Sequence, residues 1–476
     1  MAIRRRIACL SLLAPLLSSF APATGANLLG SGIWTLVEPR AALSGPLPRD
    51  PAAALAGAVT AMGARLGVPL QPGPALAAAQ LQPALAGRLA LVLGDLAACH
   101  DATRNLLASL PERPGAYYGE ESGAAPAPAA VATVRACAGR VQGDALELER
   151  FLSAGPAEKG GDVELWPVLR LDGDGSDDTV VHDYALSVDT GGNDLYLNNA
   201  GGNLLDLLRG PAGSAAMDKA PARGCVNPAH DLGEAQCTPS AALLLDMAGD
   251  DTYGRKEAPV PEADGICTDE PLVPRALTEG AGFAGVGILV DAAGDDRYVG
   301  KETAQGVGHF GGVGILRDEA GDDHYTAVRL SKGFATIQGV GILHELGGND
   351  VYDYYMPRPL DPEARFRTPG SGGAISTTGL CDNQPRWEEG SAIVDGIGIL
   401  VEDGGDDTYR PGPPVAHNVG TIEPPRHTGS LGSGDMGGFG LMLDRAGHDS
   451  YSAIPGRRNG ASVAPGPESS GLFVDQ

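Results

Sequence analysis

Acidic residues recur in this chain in pairs five positions apart, each pair framing a glycine and closely followed by a tyrosine. The pairs are Asp189/Asp194, Asp246/Asp251, Asp291/Asp296, Asp318/Asp323, Glu345/Asp350, Glu402/Asp407 and Asp444/Asp449. The shared phrase is acid-x-x-Gly-(Asp/Asn)-Asp-x-Tyr, with His448 in the fifth slot of the last copy. An eighth, degenerate copy starts at Asp172, with Thr179 in the tyrosine slot. Stacked carboxylates repel: two charges ~5 Å apart cost about 0.8 kcal/mol in water and about 3 at an effective dielectric of 20. Two chemistries offset such repulsion. Ca²⁺ takes oxygen ligands from carboxylates and from the carbonyls of a glycine turn. Alternatively, Asp and Asn side chains accept hydrogen bonds from turn N–H groups, a purely structural use. The sequence leaves both open. Under the first, the candidate ligands are the seven pairs together with Asp172 and Asp174. These last two open Asp172-Gly-Asp174-Gly-Ser176-Asp177-Asp178, which places oxygens at alternate positions like the start of an EF-hand loop, with Asp183 at the twelfth position.

Positioning so many acids requires a repeating backbone. Five copies are preceded by Gly-x-Gly and two apolar residues: G-V-G-I-L at Gly285, Gly312 and Gly339, G-I-G-I-L at Gly396, and G-F-G-L-M at Gly438. Motif starts are separated by 57, 45, 27, 27, 57 and 42 residues, and the extra residues fall between the tyrosine and the next glycine phrase. A fixed period with insertions at one phase is the mark of stacked coils. The expected fold is therefore mainly β: a right-handed parallel β-solenoid of about 27-residue coils, with an N-terminal α-helical domain. An antiparallel β-hairpin repeat array is the alternative. In the solenoid each coil lies ~4.8 Å above the last, so like residues stack into an aspartate column and a tyrosine column.

The copy Asp291-Ala-Ala-Gly294-Asp295-Asp296-Arg-Tyr298-Val resembles the glycine-rich nonapeptide of haemolysin-type (RTX) calcium-binding proteins, and Thr190-Gly191-Gly192-Asn193-Asp194-Leu195-Tyr196 is the nearest match. The resemblance covers about eight residues per coil, and tyrosine stands where that family carries an aliphatic residue. It implies a parallel β-roll with Ca²⁺ in the turns.

The remaining sequence sets the compartment. A basic head (Arg4-Arg5-Arg6), an apolar run from Ile7 to Phe20 and small residues up to Ala26 read as a signal peptide over 1–26. The expected location is therefore secreted or extracytoplasmic, with no membrane span after signal cleavage. The net charge of -26 disfavours nucleic acid as a partner and favours divalent cations. Six cysteines follow the signal, and the expected disulfides are Cys99–Cys137, Cys225–Cys237 and Cys267–Cys381. Residues 27–160 form the helical domain. Helices are expected over Pro51–Leu66, Pro83–Leu110 and Pro128–Ala138, the last stopping at Gly139, with another over Ala145–Leu152 capped by Asp144.

The repeat region covers 161–476, with loop insertions at 197–240, 254–278, 353–387 and 410–429. The third insertion holds Arg365, Arg367, Arg386 and Trp387, a basic-aromatic patch suited to a glycan or other cell-surface component. No nucleophile-base set stands out, so no catalytic residue is assigned. The expected function is an exported, calcium-binding structural, adhesive or surface-binding repeat protein. A polysaccharide lyase or hydrolase of β-helix type, with its cleft among the long loops, is the alternative.

Overall fold

A computed structural model describes residues 32–109, 126–155, 161–203, 240–254, 278–300, 304–327, 331–354, 392–393, 395–410, 432, 434–435, 438–451, 459–463 and 471–476. The described chain is mixed rather than mainly β: five helices precede long parallel sheets. The helices are α1 (Trp34–Val37), α2 (Pro51–Arg65), α3 (Gly73–Ala79), α4 (Pro83–Ala108) and α5 (Pro128–Ala154). Proline opens α2, α4 and α5, where its missing N–H leaves no intrahelical bond unmade. Asp50 caps α2 by accepting the Ala53 N–H.

The helix from Pro128 does not stop at Gly139 but runs unbroken to Ala154. Gly143, one turn further on, instead opens a notch on one helix face. A Cβ on Gly143 would sit 3.2 Å from the Ala42 carbonyl oxygen. Asp144 caps nothing: it lies within α5, where its Oδ1 accepts the Ser44 N–H at 2.6 Å and its Oδ2 the Ser44 hydroxyl at 2.9 Å. Gly143 is spent on close packing of the 40–44 segment, while Gly139 is carried within the helix, where a Cβ would meet only the Leu36 side chain at 3.5 Å. The Cys99–Cys137 disulfide ties α4 to α5 as expected.

Three sheets carry the repeats. The main sheet stacks Leu186–Val188, Ala241–Asp246, Val286–Asp291, Val313–Asp318, Val340–Glu345, Ile397–Glu402, Phe439–Asp444 and Gly471–Asp475, each parallel to the next. Register is unshifted, so Ile288 faces Ile315 and Ile315 faces Ile342. The tyrosine sheet pairs Tyr196, Tyr253, Tyr298, Tyr325, Tyr352, Tyr409 and Tyr451 in the same way. A third sheet consists of two-residue strands such as Gly282–Phe283 and Gly308–His309. Parallel pairing between successive repeats rules out the antiparallel hairpin array. Among the described residues, antiparallel partners occur only at the ends of the main sheet, where Val163–Leu165 and Ser462–Val463 are its outermost strands.

The main strands alternate in facing. Ile288, Ile315 and Val290 pack into one core with α4 and α5. Leu289, Leu316, Leu343 and Leu400 face the other way, onto the tyrosines. The first acid of each motif lies two residues beyond that leucine and so on its side of the sheet. Glycine is required where neighbouring turns meet: a Cβ on Gly294 (φ +157°) would lie 1.5 Å from the Gly249 carbonyl oxygen. The two expected disulfides Cys225–Cys237 and Cys267–Cys381 lie outside the described residues, as do 1–26.

Candidate metal centre

The acids of the seven motifs do align in files, and each motif position has a different use. The fifth position is structural. Along the exposed side the N–H of each residue bonds the side chain one repeat back: Asp322 to Asp295 at 2.9 Å, Asn349 to Asp322 at 2.8 Å and Asp406 to Asn349 at 3.0 Å. An acceptor oxygen is all this requires, which is why Asn serves as well as Asp.

The first position is buried and, from Asp189 to Glu402, bonded at both oxygens, whereas Asp444 keeps an unpartnered Oδ1. Asp291 Oδ1 accepts the Ala293 N–H and Asp318 Oδ1 the Ala320 N–H, both at 3.2 Å, closing the turn. The other oxygen accepts a tyrosine hydroxyl from the preceding repeat: Tyr298 to Asp318 at 2.6 Å and Tyr352 to Glu402 at 2.6 Å, with Tyr196, Tyr253 and Tyr325 serving Asp246, Asp291 and Glu345 alike. The tyrosine rings stack face to face at 4.6–5.0 Å between successive repeats, and six of the seven are fully buried. They are a packing column and offer no sugar platform.

The sixth position is half bonded. Each Oδ1 accepts the N–H of the sixth-position residue one repeat back: Asp251 to Asp296 at 2.6 Å, Asp296 to Asp323, Asp323 to Asp350 and Asp350 to Asp407 at 2.7 Å, and Asp407 to Asp449 at 2.9 Å. Each Oδ2 of Asp194, Asp251, Asp296, Asp323, Asp350 and Asp407 is buried and has no hydrogen-bond partner. These side chains are 0–3% exposed. Between repeats, carboxylate oxygens converge within 4.8 Å of one another, as in Asp189–Asp194–Asp246, Asp251–Asp291–Asp296, Asp296–Asp318–Asp323, Asp323–Glu345–Asp350 and Asp350–Glu402–Asp407. An orphaned, nine-tenths buried oxygen aimed into a carboxylate cluster fits a hard cation with oxygen ligands.

Burial, reinforced by neighbouring acids, pushes the sixth-position carboxyls upward: Asp251 and Asp323 to about 10, Asp194 and Asp350 to about 8. Asp291 and Asp318 rise to about 7 by burial, tempered by the tyrosine and turn N–H bonds. The file therefore holds protons at neutral pH unless a cation takes their place.

The degenerate repeat is read one residue differently from the sequence expectation. Val180 pairs with Tyr196 and Thr179 with Leu195, so Val180 occupies the tyrosine slot and Asp178 the sixth position. Asp178 N–H bonds Asp194 Oδ1 at 2.6 Å, as the register demands. Asp174 caps a turn by accepting the Ser176 N–H, and Asp183 accepts the Asn199 N–H, each at 2.9 Å. Asp183 is thus engaged in a different turn from the one an EF-hand loop would need. Sequence reading missed Arg170, which contacts three of the acids. Its signal was a charged residue in the column that carries Ser187 and then leucine from Leu244 onward. Asp475, not among the candidate ligands, ends the final strand in register with Asp444. Arg365, Arg367, Arg386 and Trp387 lie outside the described residues.

No family model, no curated protein and no solved structure matches this chain. Among the described residues, no helix is long and apolar enough to cross a membrane.

Proposed function

We propose that this chain is an exported, calcium-stabilised repeat scaffold, its sheets wound as a right-handed parallel β-solenoid that holds the inserted loops for a structural, adhesive or surface-binding role. One observation carries the reading: the file of buried sixth-position oxygens, each without a donor and each facing further carboxylates. No N–H or tyrosine hydroxyl reaches those oxygens, and a divalent ion in each cluster supplies both the charge and the coordination that shared protons would otherwise provide. The donors are all carboxylate oxygen, which suits Ca²⁺ over thiophilic metals. The likeness of each turn to the haemolysin-type nonapeptide points the same way.

Metal content and thermal melting of the purified chain test this. Multiple tightly held calcium ions are expected, and EDTA should lower the unfolding midpoint. An ion that binds only the folded chain stabilises it by about 2.7 kcal/mol at 100 times its dissociation constant. A chain that carries no divalent metal and melts at the same temperature in calcium and in EDTA would refute the assignment.

A further inference from the structure

The first acidic cluster of the stack already contains a cation, supplied by the chain. In the Asp189–Asp194–Asp246 cluster, the members are the first and sixth acids of one repeat and the first acid of the next. The same positions one repeat earlier are Asp172, Asp178 and Asp189. The register fixes this equivalence: Leu171 pairs with Val188 as Val188 pairs with Leu245, and Thr179 pairs with Leu195. In this earlier cluster the Arg170 guanidinium bonds all three acids. Nη1 donates to Asp189 Oδ2 at 2.6 Å, and Nη2 to Asp172 Oδ2 at 3.1 Å and Asp178 Oδ2 at 2.9 Å. Asp178 Oδ2 is the counterpart of the oxygens that stand unpartnered in Asp194, Asp251, Asp296, Asp323, Asp350 and Asp407.

Two substitutions make room for the arginine. Arg170 stands in the inward column that carries Ser187, Leu244, Leu289 and Leu316 in the following repeats. Val180 fills the tyrosine slot, so no tyrosine hydroxyl reaches Asp189 Oδ2 from the repeat before it, and Arg170 donates there instead. One side chain thus replaces both the missing hydroxyl and the counter-cation. Arg170 is 8% exposed and lines a cleft of about 380 Å³ with Asp162, Glu164, Asp174 and Asp178, which gives this end a route to solvent.

We propose that Arg170 is a built-in occupant of the first cation site, and that removing it turns Asp172–Asp178–Asp189 into one more divalent-cation site. This rests on the cation reading of the other clusters. The experiment counts bound calcium per full chain, by equilibrium dialysis with elemental analysis, in the wild type, Arg170→Met and Arg170→Lys. Arg170→Met should bind one ion more than the wild type, and Arg170→Lys, which keeps the charge, should not. The double variant Arg170→Leu/Val180→Tyr restores the residue types of the later repeats. It should also bind one extra ion, and it decides the matter if Arg170→Met fails to fold. A wild type that binds calcium with an unchanged count in the folded variants would overturn the role of Arg170 alone. A wild type that binds none would overturn the cation reading and this inference together.

Discussion

Each residue of the repeated phrase answers a separate physical demand. The first acid closes a turn and receives a buried hydroxyl, the glycine clears space for a neighbouring carbonyl, and the sixth acid bridges repeats with one oxygen. The eighth residue stacks its ring and donates its hydroxyl. Tyr298 separates those last two functions. Tyr298→Phe keeps the ring between Tyr253 and Tyr325 but removes the donor to Asp318 Oδ2. A buried acceptor left unsatisfied costs about 1–3 kcal/mol. Chemical denaturation should show a stability loss of that size at unchanged m-value. A loss below about 0.5 kcal/mol would mean that the hydroxyl bond contributes little and that the rings alone hold the column. These positions were legible because repetition within one chain exposes which residue types each slot demands. Arg170 was not, because it acts once and its partners are brought to it only by the parallel register.

At the scale of elements, the sequence showed the repeats more truly than the helices. The acid-glycine-tyrosine phrase announces itself in all seven copies, and five main strands begin directly after the first glycine of the five glycine phrases. The third sheet escaped because its strands are two residues long, too short for any period. Helix α5 was expected to stop at Gly139, since a glycine that ends a helix and one that a helix carries through its middle, or uses like Gly143 to admit a neighbouring backbone, are the same letter. Only tertiary packing tells them apart. Gly143→Val tests the last of these roles. The added side chain would press on the Ala42 and Arg40 carbonyls, 3.2 and 3.3 Å from its Cβ, and pull Ser44 from Asp144. Overpacking of this kind costs about 1–3 kcal/mol. Hydrogen exchange should show faster exchange at Ser44 while the repeat strands stay protected. Equal exchange in variant and wild type would show that the notch is not needed.

The whole molecule binds its helical layer to the stack with charged groups as well as apolar ones. His344 Nδ1 lies 2.9 Å from the Val37 carbonyl oxygen, and Arg445 joins Glu38 at 2.6 Å and Asp403 at 2.5 Å. The interior file then dominates the dependence on pH. Its sixth-position carboxyls are raised by burial, to about 8 at Asp194 and Asp350 and about 10 at Asp251 and Asp323. Unfolded, an aspartate titrates near 4 (roughly 3.9). Without metal, the folded chain therefore holds protons that the unfolded chain has released. Stability must fall as pH rises from about 4 towards about 8, by linkage. Calcium removes that slope, because its bound carboxylate ligands are deprotonated: with calcium saturating, neither the folded nor the unfolded chain holds these protons, and stability should stay nearly flat across the same interval. Each kcal/mol moves the midpoint by roughly 2 °C in a large domain, so a falling profile in EDTA and a flat one in calcium are distinguishable in parallel melts. Parallel falling slopes in both would mean that protons alone neutralise the file, and that the stacked acids are a packing device with no metal to hold.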